Sequence, residues 1–264
     1  MIHHWSLFTK PWKTATAEEL GALAARLGFT GIEFPLRAGY QVDLADAERG
    51  LVSLGKTLAQ YGVCITSVAG DTSERTFAAC QAAGVRILRI MVNADPAIGY
   101  RKSMEAKKRE LEALAPLCEK YSVTIGVQQH YGFGIFNTME MRELLEGFNP
   151  RHIGAIWDAA HSALSGEIPA QALDIIWDKL VLVNLKMAYY RRANGPEAEQ
   201  AVFEPYFTTG RNGAASWKDA ADFLTAHGYD GDICMPAEYT DEANVEAYIA
   251  QDLAYARSLF PAQM

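Results

Sequence analysis

The chain has 264 residues, half of them apolar, and a formal net charge of −8. That is ample for one large core and falls inside the usual length of a (β/α)8 barrel. The acidic balance argues against nucleic acid as a partner, because such binding relies on lysine and arginine displacing counterions. Residues 1–10 hold two histidines and a tryptophan instead of an apolar run, and no stretch reaches membrane-spanning length, so a cytoplasmic protein with no membrane partner is expected.

Short β-branched runs alternate with longer amphipathic segments from end to end, the pattern of parallel strands joined by crossover helices. In chain order the predicted strands are 2–8, 31–34, 63–69, 85–92, 123–129, 153–158, 180–187 and 232–235. The predicted helices are 16–27, 44–61, 73–83, 103–121, 138–146, 170–177, 217–227 and 244–259, several stopped by a glycine such as Gly28, Gly62, Gly84, Gly147 or Gly228. Eight such units suit a single (β/α)8 TIM barrel over residues 1–264. No GxGxxG turn opens a helix, so no nucleotide cofactor is expected.

Residues 188–215 follow the seventh strand without a clear element of their own, yet they carry Tyr189, Tyr190, Phe203, Tyr206 and Phe207. A lid or a subunit contact in a homo-oligomer is expected there. The basic residues Arg101, Lys102, Lys107, Lys108 and Arg109 are interleaved with Glu105, Glu110 and Glu112 and form a solvated helix face. Cys64, Cys80, Cys118 and Cys234 lack Cys-x-x-Cys spacing and are expected to be buried thiols.

In a parallel barrel, alternate strand residues point inward and reactive groups gather at the C-terminal rim. The inward phase near strand ends holds Glu33, Arg89 or Asn93, Gln128 then His130, Asp158 with His161 a turn later, Asn184 and Lys186, and Glu238 just past the eighth strand. Carboxylates, amides, imidazoles and a lysine in one mouth suit a polyhydroxylated substrate and proton transfer beside a carbonyl, with a cation on the enediolate oxygen. The expected catalytic residues are Glu238, Asp158, Lys186 and His130. Glu33, Arg89, Gln128, His161, Asn184 and Arg211 are expected to bind substrate. His3 and His4 open the first strand, at the barrel's stability end, and are read as structural.

Four segments resemble motifs of one family. Gly28-Phe29-Thr30-Gly31-Ile32-Glu33 resembles a second-strand G-[FY]-x-G-[IV]-E, and Asp158-Ala159-Ala160-His161 a D-x-x-H. Gly213-Ala214-Ala215-Ser216-Trp217 resembles a G-x-x-x-W helix start, and Gly228-Tyr229-Asp230-Gly231 a G-Y-x-G strand entry. Their order resembles the xylose isomerase-like superfamily, the sugar phosphate isomerase/epimerase group related to endonuclease IV.

The resemblance implies a divalent metal, manganese or magnesium, on Glu, Asp, His and Glu from the fifth to eighth strands. It also implies that two of those glutamates exchange protons with the sugar. Here Gln128 stands at the first ligand position, Asp158 matches the second, and Asn184 replaces the histidine. The last position falls on Pro236 by strict spacing, with Glu238 two residues on. Two neutral amides and at most two carboxylates suit such a metal poorly, so weak or absent metal is expected. The expected function is an isomerase or epimerase-like enzyme on a small sugar, keto-sugar or sugar acid. A lyase or dehydratase on a similar substrate, or a catalytically silent carbohydrate-binding relative, are the alternatives; a repair nuclease is disfavoured by the acidic charge.

Overall fold

The computed structural model describes residues 2–260. Its strands β1 (Trp5–Phe8), β2 (Gly31–Pro35), β3 (Cys64–Ala69), β4 (Ile87–Met91), β5 (Thr124–Gln128), β6 (Ile153–Asp158) and β7 (Leu180–Asn184) run in chain order around a barrel. Strand β10 (Ile233–Pro236) closes it between β7 and β1, and every pairing is parallel. Each barrel strand is followed by helix: α1 (Ala17–Leu27), α2 (Ala47–Ala59), α3 (Glu74–Ala82), α4 (Tyr100–Tyr121), α5 (Thr138–Leu145), α6 (Ala159–Leu164) with α7 (Pro169–Ile176), α8 (Trp217–Ala226) and α9 (Val245–Leu259). The fold is the expected (β/α)8 barrel. No helix among the described residues is long and apolar enough to cross a membrane.

Local chemistry sets the helix ends. Thr16 and Glu19 form a capping box on α1, and Asn137 and Glu140 one on α5. Gly28 ends α1 at φ 93, a left-handed conformation that side chains resist. The apolar faces of strands and helices meet in the main core, with Leu7, Ile32, Phe34, Leu88, Ile125 and Trp157 fully or almost fully buried. Inside the barrel a smaller cluster of Phe8, Ala69, Ile156, Leu182 and Cys234 fills the lumen. It plugs the barrel, so polar side chains one step further along the strands form the floor of the mouth.

The sequence-based expectation departs from the structure in three places. Residues 188–215 are not without an element: β8 (Met187–Arg192) and β9 (Phe203–Thr208) pair antiparallel as a hairpin separate from the barrel sheet. Its turn signal, Asn194-Gly195-Pro196, is present in the sequence, and Asn194 Oδ1 accepts from Val202 N at 3.0 Å to close the loop. The seventh strand accordingly ends at Asn184, and Lys186 lies in the two-residue step between β7 and β8. Finally, all four cysteines are free, but Cys64 is exposed and not buried like the others.

Candidate active site at the barrel mouth

The two ends of the barrel differ in what they gather. At the N-terminal end a cavity of about 780 Å³ is lined by His3, His4, Lys56, Cys64, Arg86, Asp230 and Asp232 together with apolar and small residues, and no hydrogen-bonded network of charged side chains joins them among the described residues. At the C-terminal end the polar and charged side chains of five strands, β2, β4, β5, β6 and β7, and of three connecting segments, at Lys10, Lys186 and Glu238, converge into one bonded network. That convergence locates the candidate site.

The network begins in the barrel lumen. Arg89 of β4, whose guanidinium lies 4.5 Å over the Phe8 ring, donates through Nε to Glu33 of β2 and through Nη1 to Gln128 Oε1 of β5. The far oxygen of Glu33 accepts from the Cys234 thiol at 3.3 Å. Gln128 passes the chain on, its Nε2 donating to Asp158 Oδ2 at 2.6 Å, and Asn184 Nδ2 reaches the same oxygen at 3.4 Å. Glu33, Asp158 and Asn184 are wholly buried. A carboxylate in such a place requires this many partners.

Asp158 also caps a helix. As the last residue of β6 it turns Oδ1 to the backbone N–H groups of Ala160 and His161, at 3.0 and 3.2 Å, starting α6. The D-x-x-H spacing thus has a local cause: the turn that Asp158 caps brings His161 back beside it. Burial works to raise the Asp158 pKa, but the Lys186 ammonium 4.0 Å away and the backbone N–H bonds outweigh it and hold the group below the usual carboxylate range.

Lys186 is the hub of the outer half. Its side chain is 3% exposed; Nζ lies 3.1 Å from Glu238 Oε2, 3.2 Å from His161 Nε2 and 4.8 Å from the centre of the Phe207 ring. Burial opposes its charge, but Asp158 and Glu238 prevail and keep it an ammonium. Glu238, partly exposed, is buried enough to favour the neutral form, yet Lys186 and Lys10 together hold its carboxyl far below the ordinary range. Lys10, from the loop after β1, pairs with the other oxygen of Glu238.

Two histidines flank this pair. Burial, reinforced by Lys186, pulls His161 down to about 3, so its ring is neutral. Its Nδ1 faces the Tyr131 N–H at 3.3 Å while Nε2 faces Lys186. A neutral imidazole has one in-plane lone pair to offer, so these two donors compete for it, while the ammonium also donates to Glu238. His130 is held below its ordinary value mainly by burial and is also neutral. Its Nδ1 lies 2.8 Å from the Tyr131 carbonyl, which can only accept, so the proton sits there and Nε2 carries the lone pair. The ring stacks on Tyr131 and lies 4.2 Å from His161.

The structure therefore brings together Glu33, Arg89, Gln128, His130, Asp158, His161, Asn184, Lys186 and Glu238. It leaves Arg211 out: that guanidinium stacks at 3.8 Å on Tyr255 of α9, because Tyr255 offers it an aromatic face beside the α8 entry. Sequence reasoning misses Lys10 and Tyr131, and names Phe207 only as part of the expected lid or subunit contact, not as a neighbour of Lys186. Lys10 is 228 positions from Glu238 and lies on a loop, where no strand phase marks it. Phe207 is hidden with the hairpin that carries it.

The sequence profile of the xylose isomerase-like TIM barrel family matches residues 22–259. The chain belongs to that family. An inosose dehydratase of Geobacillus thermodenitrificans is 29% identical over 133 residues, 48% of this chain and 45% of the relative. The chain's matches span about half the length of such curated relatives. Among solved structures, a D-allulose 3-epimerase of Methylomonas sp. superposes with a TM-score of 0.73 at 14% identity, covering 97% of each chain. A 3-keto-D-glucoside 4-epimerase of E. coli gives 0.72 at 15% identity, covering 96% of this chain and 98% of its own. These structural likenesses carry the fold.

The divalent metal implied by the family does not suit the donors in this mouth. Both oxygens of Asp158 are occupied, Oδ1 by two backbone N–H groups and Oδ2 by two amide N–H groups. Gln128 gives its oxygen to Arg89, and an ammonium stands 4.0 Å from the Asp158 carboxylate. Two polar atoms of the network have no partner: Arg89 Nη2, a donor, and Asn184 Oδ1, an acceptor. A ligand hydroxyl can answer both kinds of atom, whereas a cation would repel the first.

Proposed function

We propose that this protein removes a proton next to the carbonyl of a small, uncharged, polyhydroxylated ketone, without a metal ion, and that epimerisation or isomerisation follows. The observation that carries the reading is the pairing of a neutral imidazole with a free Nε2 lone pair, at His130, and a buried ammonium, Lys186, linked through the His161 ring that contacts both. A base with a free lone pair and a fixed positive charge are the two groups an enolisation needs. His130 Nε2 takes the proton from carbon, and Lys186 stabilises the negative charge that develops on the carbonyl oxygen. Reprotonation of the same carbon by solvent on the opposite face, with His130 giving its proton up to solvent, yields an epimer; delivery from His130 to the neighbouring, former carbonyl carbon, with the hydroxyl proton of the first carbon passing to the former carbonyl oxygen, yields an isomer.

Glu238 and Asp158 serve a different role from that of a base. A carboxylate whose pKa is driven down by two lysines is a weak proton acceptor at neutral pH, so Glu238 orients Lys186, and Asp158 holds Gln128 and Asn184 in place. Three cations, Lys10, Arg89 and Lys186, already meet three carboxylates, Glu238, Glu33 and Asp158, so an uncharged substrate disturbs no ion pair. Gln128, Asn184 and Arg89 are placed to bind its hydroxyls.

A second outcome of the same step, loss of the hydroxyl on the next carbon, is favoured by one observation: the curated relatives include inosose dehydratases. Incubation with D-allulose or an inosose in D2O, followed by proton NMR, tests both. Loss of the signal beside the carbonyl is expected with either outcome, and a new alkene or dicarbonyl signal marks dehydration. In His130→Gln the exchange is expected to fall by about 10² or more. Wild-type rates in that variant would sink the assignment of the base.

A further inference from the structure

Outside the network of the mouth, one buried carboxylate joins two segments that each deliver a group to Lys186. Asp252 of α9 is 2% exposed. Its Oδ1 accepts from Gly210 N and its Oδ2 from the Tyr239 hydroxyl, both at 2.8 Å. Gly210 lies two residues beyond β9, and Tyr239 follows Glu238 directly. The same two segments meet again at Thr240, whose N–H donates to Phe207 O at 3.0 Å and whose hydroxyl accepts from Phe207 N at 2.9 Å. From one side comes the Phe207 ring over Lys186 Nζ, and from the other the Glu238 carboxylate against it.

Movement at this junction would reach the lysine's own backbone. A side chain on Gly210 would strike the Trp217 ring, so the chain passes flush against the indole there. The Nε1 of Trp217 donates to Lys186 O at 3.3 Å. Burying an aspartate costs free energy that an apolar residue of similar size would not, and no cation is paired with this one among the described residues. Its two hydrogen bonds are what it does.

We infer that Asp252 is a positioning residue that bolts the exit of the hairpin to the exit of the last barrel strand, so that Phe207 and Glu238 meet Lys186 in one fixed arrangement. What the arrangement serves rests on the proposed carbon-acid chemistry; the coupling of the two segments does not. Asparagine has the same shape, and its oxygen can accept from Gly210 while its amide donates to the Tyr239 hydroxyl oxygen. Asp252→Asn therefore keeps both links, and Asp252→Ala cuts both.

Hydrogen exchange of the full chain, read by mass spectrometry, tests the coupling. In Asp252→Ala the amides of 203–208 and of 238–240 are expected to exchange faster together, by about tenfold or more, with α1 to α4 unchanged and Asp252→Asn close to wild type. Loosening of one segment alone, or equal behaviour of the two variants, would overturn the inference. In the D2O assay, Asp252→Ala is expected to lose about tenfold in kcat with KM within about twofold, and Asp252→Asn to restore it. A change in KM alone would count against positioning of the reacting groups. If wild type exchanges no substrate proton, the carbon-acid reading fails and amide exchange alone decides the coupling. Should Asp252→Ala not fold, Tyr239→Phe, which cuts one link, must loosen 203–208 as well as its own segment, and failure to do so refutes the bolt.

Discussion

Lys186 shows how a single side chain sets the character of the mouth. It is one cation among Asp158, Glu238 and a neutral imidazole, and its removal leaves a wholly buried carboxylate without its nearest charge. Lys186→Met is expected to cost about 3–5 kcal/mol in urea denaturation, the scale for breaking a buried ion pair from one side. A loss below about 1 kcal/mol would mean that the ammonium is solvated and not the hub described. The same variant is expected to abolish substrate proton exchange. Residues on strands were legible from sequence because the period of two fixes their direction: Glu33 lies between Ile32 and Phe34, and Gln128 one step past Val127, so each turns inward when its neighbours turn to the helices. Roles were less legible than places. Glu238 reads as a base from its position, while its ion pairs with Lys10 and Lys186, which only the fold brings near, are the ground on which the proposed function gives it the orienting role instead.

At the scale of elements, the hairpin of β8 and β9 and the helix α9 carry what the periodic pattern could not express. The hairpin mixes aromatic and charged residues on an antiparallel ribbon, with Tyr189 on Tyr206 and Arg191 over Tyr206, while Tyr190 and Phe203 stay exposed; only its base, at Met187, Ala188 and Phe207, packs on apolar neighbours, so no apolar phase runs along it. The family-like motif that follows has a steric reason: a side chain at Gly213 would run into Met187 at the start of β8. Gly213→Ala is expected to cost about 1–3 kcal/mol through this clash and to loosen the hairpin first. Equal hydrogen exchange of 187–192 in the variant and wild type would contradict it. Helix α9 contributes the bolt, and its cost is visible in pH. Burial raises the Asp252 carboxyl to about 6, above its value of about 4 in an unfolded chain. The stability from its protonated form is therefore fully present below about pH 4 and is lost as pH rises through about 6. Asp252→Asn cannot ionise, so its melting temperature is expected to exceed that of wild type at pH 8, by up to about 3 kcal/mol in stability, and to show no gain at pH 4. The same difference at both pH values would mean that Asp252 does not titrate in this window.

For the whole molecule, the alternation of eight strands with helices made the barrel legible, and barrel topology then gathered residues from Lys10 to Glu238 at one rim. The chemistry at that rim is more specific than the fold. Family membership implies a divalent metal, while in this chain amide N–H groups and an ammonium surround the one carboxylate that matches the ligand pattern. The central claim is that protein-borne charge performs the enolisation here. The direct test is deuterium uptake by D-allulose or an inosose in D2O, measured on protein treated with EDTA and again with added manganese. An exchange rate unchanged by either treatment, and lost in Lys186→Met, is the expected result. Exchange that stops with EDTA and returns with manganese would contradict the claim and place the metal at the centre of the reaction.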